Sequence, residues 1–238
     1  MANKRLRAAL AAGVLAVLTG CAGPAAAGEV EWKILIDQAN LHLQRGSVRQ
    51  GEMVAREAVA EAERSFGPQH RAVDQSLATL GLVLRLAQRH PEAERELRRA
   101  LALREKSLGP RDPATAILIN NLADVVQAQR KYAEAEQLHR RVLAVFEKTW
   151  GDDPKTAASL NNLGANLYAQ GRHAEAEPVL RRALAIKEKT LGLNSPGVAH
   201  TLSNLAQVVA ALGRQVEADV LAGRAAAIHR NAKGVPRK

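Results

Sequence analysis

Apolar residues recur through most of this chain at the three- and four-residue spacing of one helix face. Leu160, Leu163 and Leu167 form one such stripe, and Leu122 and Val126 belong to another. Inside these stripes sit adjacent polar pairs that a helix does not favour, Asn120-Asn121 and Asn161-Asn162, with a related Ser203-Asn204 further on. Asparagine is a mediocre helix former because its amide competes for nearby backbone groups, so the face these residues occupy decides what they are for.

The stripes also repeat. Leu80, Leu122, Leu163 and Leu205 lie 42, 41 and 42 residues apart, and the segments that follow them correspond residue by residue: "HPEAERELRRALALREKSLG", "YAEAEQLHRRVLAVFEKTWG" and "HAEAEPVLRRALAIKEKTLG". A degraded copy runs from Gln215 to Gly234, and an earlier one from Val48 to Gly67 keeps the register. Each copy predicts two helices. Asp112-Pro113 and Asp153-Pro154 supply a cap acceptor and then a proline whose missing N–H costs nothing at the first helical position. The first helix stops at a polar turn, Gln129 to Tyr132 or Gln170 to His173, and the second runs on to Gly109, Gly151 or Gly192, where the chain can turn left-handed. One pair cannot bury its own stripe, whereas stacked pairs bury it continuously. The prediction is an all-α, right-handed superhelical solenoid of about five helix pairs, over roughly 29–68, 69–111, 112–152, 153–194 and 195–232.

The residues that carry this pattern resemble the tetratricopeptide repeat in its 42-residue, kinesin-light-chain-like form. Leu122-Ala123-Val126 and Leu163-Gly164-Leu167 match its first helix. The small residues of its second helix recur at Ala93, Ala135, Ala176 and Ala218, and again at Ala100, Ala183 and Ala225. The first copy departs from the pattern, with Gly51 at a usual alanine and His42 at a usual large apolar position, which suits a capping repeat. The resemblance implies a non-enzymatic scaffold that binds a protein or peptide in a concave groove.

In such arrays the arc beside the apolar stripe lines that groove. Here the arc carries Asn120, Asn121, Asp124 and Gln127 in the third repeat, Asn161, Asn162 and Tyr168 in the fourth, and Ser203, Asn204 and Gln207 in the fifth. Amides both donate and accept, which suits an extended polypeptide with unpaired N–H and C=O groups. The other use of these amides is to bond neighbouring helices. Family members that clamp a terminal carboxylate do so with groove lysines and arginines, and here only Arg85 fits, so recognition of an internal segment is the expectation.

The start of the chain adds a location. "MANKRLR" is positively charged, and Ala8 to Leu18 is an apolar run of 11 residues, too short for a spanning helix. Leu18-Thr19-Gly20-Cys21 follows, with Cys21 the single cysteine among 238 residues. That order resembles the lipobox of bacterial lipoproteins, which implies a cleaved signal (1–20), a lipid on Cys21 and a short linker (21–28) holding the array at the envelope. Ala22 after the cysteine points to the outer membrane, facing the periplasm. A plain secretory signal remains the alternative, and either way the protein is exported.

Charge and chemistry narrow the function further. The net charge is +10, but the excess sits at the ends, in Lys4, Arg5 and Arg7 and in Arg230, Lys233, Arg237 and Lys238. The basic tail (233–238) could meet anionic lipid headgroups or simply lie in solvent. The pairs Arg98-Arg99, Arg140-Arg141 and Arg181-Arg182 follow Glu94, Glu136 and Glu177 at the four-residue spacing of helical ion pairs, so they predict a solvated outer face rather than a nucleic-acid site. No H-E-x-x-H, paired cysteine, G-x-S-x-G or phosphate-binding glycine loop occurs, and no cofactor or metal is expected. Two functions stand: a groove-binding adaptor, and a structural subunit docked by its outer face into an outer-membrane, pilus or secretion assembly.

Overall fold

The structure is a computed structural model that describes residues 24–232; the signal segment, Cys21 and the tail 233–238 lie outside the described residues. Among the described residues there are ten helices and no strand. They form five helix pairs: α1 (Pro24–Gln44) with α2 (Val48–Phe66), α3 (Arg71–Leu86) with α4 (His90–Leu108), α5 (Pro113–Ala128) with α6 (Tyr132–Trp150), α7 (Pro154–Ala169) with α8 (His173–Leu191), and α9 (Pro196–Ala211) with α10 (Gln215–Ala232). Two compact bodies result, Met1–Ser107 and Leu108–Lys238.

Local chemistry sets the boundaries. Asp112 and Asp153 each cap a helix, their carboxylates accepting from Ala114 N at 2.7 Å and Lys155 N at 2.8 Å, with a proline in the first turn that needs no partner for its nitrogen. Ser195 does the same for α9, accepting from Val198 N at 3.3 Å. Each A-to-B turn needs one residue at positive φ. Gly171 and Gly213 supply it freely, but Gln88 and Arg130 adopt φ of 60° and 63° with a side chain.

In the first body, Trp32 of α1 donates its indole N–H to Ser76 Oγ of α3 at 2.8 Å and meets Phe66 edge-on at 6.1 Å. One boundary differs from the sequence expectation. Residues 24–28, read as linker, belong to α1, and Gly28 lies so close to α2 that a Cβ there would come 2.2 Å from Ser65 Oγ.

In the second body, α7, α8, α9 and α10 share one apolar core that includes Leu163, Leu180, Leu202, Leu205 and Ile228. Within each pair, close approach is set by size. Gly81 faces Leu97 and Gly164 faces Leu180, and a Cβ on either glycine would lie 2.6 or 2.5 Å from the leucine Cγ. In the third repeat the corresponding residues are Ala123 and His139, and in the fifth Ala206 and Ala222. The small residues of the B helices, Ala93, Ala100, Ala135, Ala176, Ala183, Ala218 and Ala225, are all buried.

Candidate functional site

The candidate groove lies on the A helices of the second body, α5, α7 and α9. The apolar stripe of each turns inward, which leaves the asparagine pairs at the boundary between core and solvent. Their amides bond between repeats in a staggered way. Asn162 Nδ2 donates to Asn120 Oδ1 at 3.1 Å, and Asn204 Nδ2 donates to Asn161 Oδ1 at 3.0 Å. The second amide of each repeat thus reaches back to the first amide of the repeat before it.

The stagger separates the predicted residues into two groups. Asn161 is only 3% exposed and its carbonyl is taken by Asn204, so the structure withdraws it from the groove surface. The physical reason is that Asn204 of α9 packs over that position and takes its carbonyl. Asn120, Asn121, Asn162, Ser203 and Asn204 are half-buried, and Gln207 is exposed. Asn162 and Asn204 each spend one N–H on the neighbouring repeat, and a primary amide holds a second N–H and a carbonyl besides. Ser203 Oγ turns back onto its own helix, donating to Ala199 O at 3.0 Å.

A hollow of about 430 Å³ opens beside this row, lined by Asp124, Gln127, Ala128, Arg130, Tyr132 and Ala169. Tyr168 does not line it: the side chain is half-buried against the core of α7 to α10, its ring 5.1 Å from that of His173. A second hollow of about 190 Å³ contains Asn120 and Asn162 together with Ile117, Phe146, Ala158 and Lys155, whose ammonium lies 4.0 Å over the Trp150 ring.

Sequence reasoning missed Asn166. It is buried, donates to Gln127 Oε1 at 2.9 Å and accepts from Gln170 Nε2 at 2.7 Å; that Gln170 amide also reaches Glu136 at 2.9 Å. Glu136 receives Arg172 at 2.5 Å as well. Burial alone would raise the Glu136 carboxyl, but the Gln170 and Arg140 hydrogen bonds and the charges of Arg172 and Arg140 outweigh it and hold the group below its ordinary range. The network fixes Gln127, a groove residue, from behind. The signal was present in the chain: Asn166 stands where Val83, Val125 and Val208 stand in the other repeats.

The arginine pairs are engaged as their spacing predicts. Arg98, Arg140 and Arg181 bond Glu94, Glu136 and Glu177 four residues earlier, at 2.7, 2.8 and 2.7 Å. Arg99 and Arg182 ion-pair with Glu63 and Glu147. His90 and His173 stand at corresponding turns, and among the described residues no group of three or more His, Cys, Asp or Glu could hold a metal ion. Among the described residues no helix is long and apolar enough to cross a membrane.

Comparison with known proteins places this geometry. A family model described as tetratricopeptide repeat matches residues 33–106, 74–148 and 155–231. Among solved structures, the chain is similar to the putative kinesin light chain nearly identical TPR-like repeats of Podosopora anserina, at 25% identity over 84% of this chain and 96% of that one, with a TM-score of 0.73. It is also similar to BtubC (BKLC) from P. vanneervenii, at 26% identity over 84% and 81% of the two chains and a TM-score of 0.71. Pseudomonas aeruginosa pilF shares the fold at 21% identity over 84% and 77%, with a TM-score of 0.62. No curated protein matches the sequence.

Proposed function

Because the chain belongs to the tetratricopeptide repeat family, whose fold is generally a non-catalytic protein-interaction scaffold, we propose that it is an adaptor or assembly scaffold of the bacterial envelope. A lipid on Cys21 tethers it, at the outer membrane and facing the periplasm. An extended polypeptide segment of a protein partner lies along α5, α7 and α9. No catalytic, cofactor or nucleic-acid role enters this reading.

The observation that supports it most directly is the row of half-used amides beside the hollow of about 430 Å³. A ligand backbone presents alternating donors and acceptors, and Asn121, Asn162 and Asn204 offer both on one arc. Asp124, Gln127, Tyr132 and Arg130 around the hollow give room and polarity for one ligand side chain. Asn161 takes no part in contacting the ligand, being covered by α9.

A second reading, docking by the outer face into a larger assembly, draws on Val216 and Val220 of α10, which are 82% and 67% exposed. Photo-crosslinking in cells separates the two. A reactive residue at position 162 reports on the groove, and one at position 181 on the outer face. A discrete protein adduct from 162 alone supports groove binding; adducts from 181 alone overturn it in favour of outer-face docking.

A further inference from the structure

The first and last described helices leave uncovered the two halves of an interface that the chain makes elsewhere with itself. Within each body, the B helix of one repeat is covered by the A helix of the next: α2 by α3, α6 by α7 and α8 by α9. Gly51 of α2 lies against Val83 of α3, where a Cβ would sit 3.5 Å from its Cγ2. Lys187 of α8 donates to Thr201 Oγ1 of α9 at 2.9 Å and to Gly197 O at 3.3 Å. The A-helix side of this contact is always buried, at Ser76 and Val83 in α3, Ser159 and Asn166 in α7, and Thr201 and Val208 in α9.

In α1 the residues at these positions are Ile34 and Leu41, with Val30 one turn before, and they are 46%, 41% and 38% exposed. They share one stripe, opposite the Trp32 side that meets α3. On α10 the converse holds. Leu184 and Lys187 of α8 are buried, while Ala226 and His229, 42 residues on, are exposed beside a hollow of about 440 Å³ formed with α9. Branched side chains thus stand proud on α1, and small ones leave space on α10.

The charges follow the same register. Glu52, Glu136 and Glu177 on the B helices each accept an arginine from the turn of the following repeat: Arg89 at 2.6 Å, Arg172 at 2.5 Å and Arg214 at 2.8 Å. Asp219 of α10 occupies the equivalent place and accepts only from Gln215 of its own helix, at 2.8 Å; among the described residues no arginine reaches it. The turn after α1 carries Arg45, two residues from the equivalent position.

We propose that the exposed apolar face of α1 docks onto α10 of a second copy of this chain, continuing the α8–α9 type of contact between molecules and linking copies head to tail. Such a contact is heterologous: each copy donates a different face, so it generates chains or rings rather than a closed twofold dimer. The Ile34 stripe fills the hollow beside Ala226, and Arg45 meets Asp219. The docking uses none of the groove asparagines, although Ser203 and Gln207 line the same hollow, so the two readings meet at the fifth repeat and are tested separately at positions 162 and 226.

The test uses the full chain in cells, in two differently tagged copies, with a photo-reactive residue replacing Ala226. The expected result is a ladder of adducts at multiples of the chain mass, with the crosslink mapping to residues 29–45 of the other copy. Ile34→Asp in every copy should weaken the ladder at least tenfold. Complementation then controls for folding. A copy carrying Ile34→Asp and the reactive residue at 226 should still capture a partner that has native α1 and Ala226→Glu, and should stop at two chains. Adducts confined to residues 1–23 of the same chain, adducts only to a different protein, a ladder indifferent to Ile34→Asp, or no adduct at all would each overturn the proposal.

Discussion

His139 shows how one residue can stand in the apolar core and still be polar. It takes the place of Leu97 and Leu180, is 1% exposed, and neither ring nitrogen has a partner. Burial pushes its pKa down to about 4, so it is neutral in the fold. A histidine depressed in the folded state takes up its proton more readily in the unfolded chain, so its contribution to stability is present above about pH 6.5 and is lost progressively toward pH 4. The expected loss is about 3 kcal/mol across that window, at about 1.4 kcal/mol per pH unit. Urea midpoints from pH 7.5 to 4 should show it on top of the decline from depressed carboxyls such as Glu136, and His139→Leu combined with Ala123→Gly, the pairing already used at Leu97 and Gly81, should make the decline shallower; an unchanged slope would contradict the assignment. The asparagines are ranked by the same reasoning. Asn204→Ala strands the buried Asn161 carbonyl and should cost about 1–3 kcal/mol, while Asn162→Ala leaves only the half-buried Asn120 and should cost about 0.5–1.5 kcal/mol. Asn121→Ala should be nearly neutral in thermal melts and so is the cleanest probe of ligand binding. The sequence located these pairs but not their stagger, because nothing local says whether Asn162 meets residue 120 or 121; that depends on how far one helix slides along another.

At the scale of the helix, most of the fold was legible, because its boundaries are written in short-range chemistry. The Asp-Pro caps start α5 and α7 at Pro113 and Pro154, and the glycines at 67, 151 and 192 stop α2, α6 and α8, as their spacing predicts. The start of α1 was not legible, since "PAAAGE" has the composition of a linker and becomes helical by lying against α2. Spacing between helices rests on paired sizes that only a structure reveals. Gly164→Ala should drive a methyl into Leu180 and cost about 1–3 kcal/mol, and Leu180→Ala should cost about 2–5 kcal/mol through the cavity it leaves. The double variant recreates the Ala206–Ala222 arrangement, so a double-mutant cycle by urea unfolding should return a total well below the sum; strict additivity would show that the two residues do not share their space. The A-to-B turn after α3 offers the opposite change. Gln88 holds φ of 60° where the fourth and fifth repeats use Gly171 and Gly213, so Gln88→Gly should stabilise the chain by about 1 kcal/mol, read as a raised urea midpoint.

For the whole molecule, the proposed place at the envelope rests on how the start of the mature chain and its basic C-terminal end would meet a membrane. In the proposed lipobox reading Cys21 is the anchor, and about 1 kcal/mol per basic residue near an anionic surface would make the tail an auxiliary one if it meets lipid rather than solvent. These contributions differ in how they respond to salt. Acyl chains leave water through the hydrophobic effect and are insensitive to it, whereas the attraction of Arg230, Lys233, Arg237 and Lys238 to lipid phosphates decays within a Debye length of roughly 8 Å at physiological ionic strength. Neutralising Arg230, Lys233, Arg237 and Lys238 in the wild-type chain should therefore leave it in the membrane fraction in both low and high salt. In Cys21→Ser protein from which residues 1–20 are also removed, the proposed remaining attachment is the tail, so any residual binding to anionic vesicles should vanish above roughly 0.5 M salt, where the Debye length falls to about 4 Å. The same binding should vanish when the tail is neutralised. Salt-resistant membrane retention of a fully processed Cys21→Ser protein would refute the lipid anchor and leave some other surface of the array holding it to the envelope.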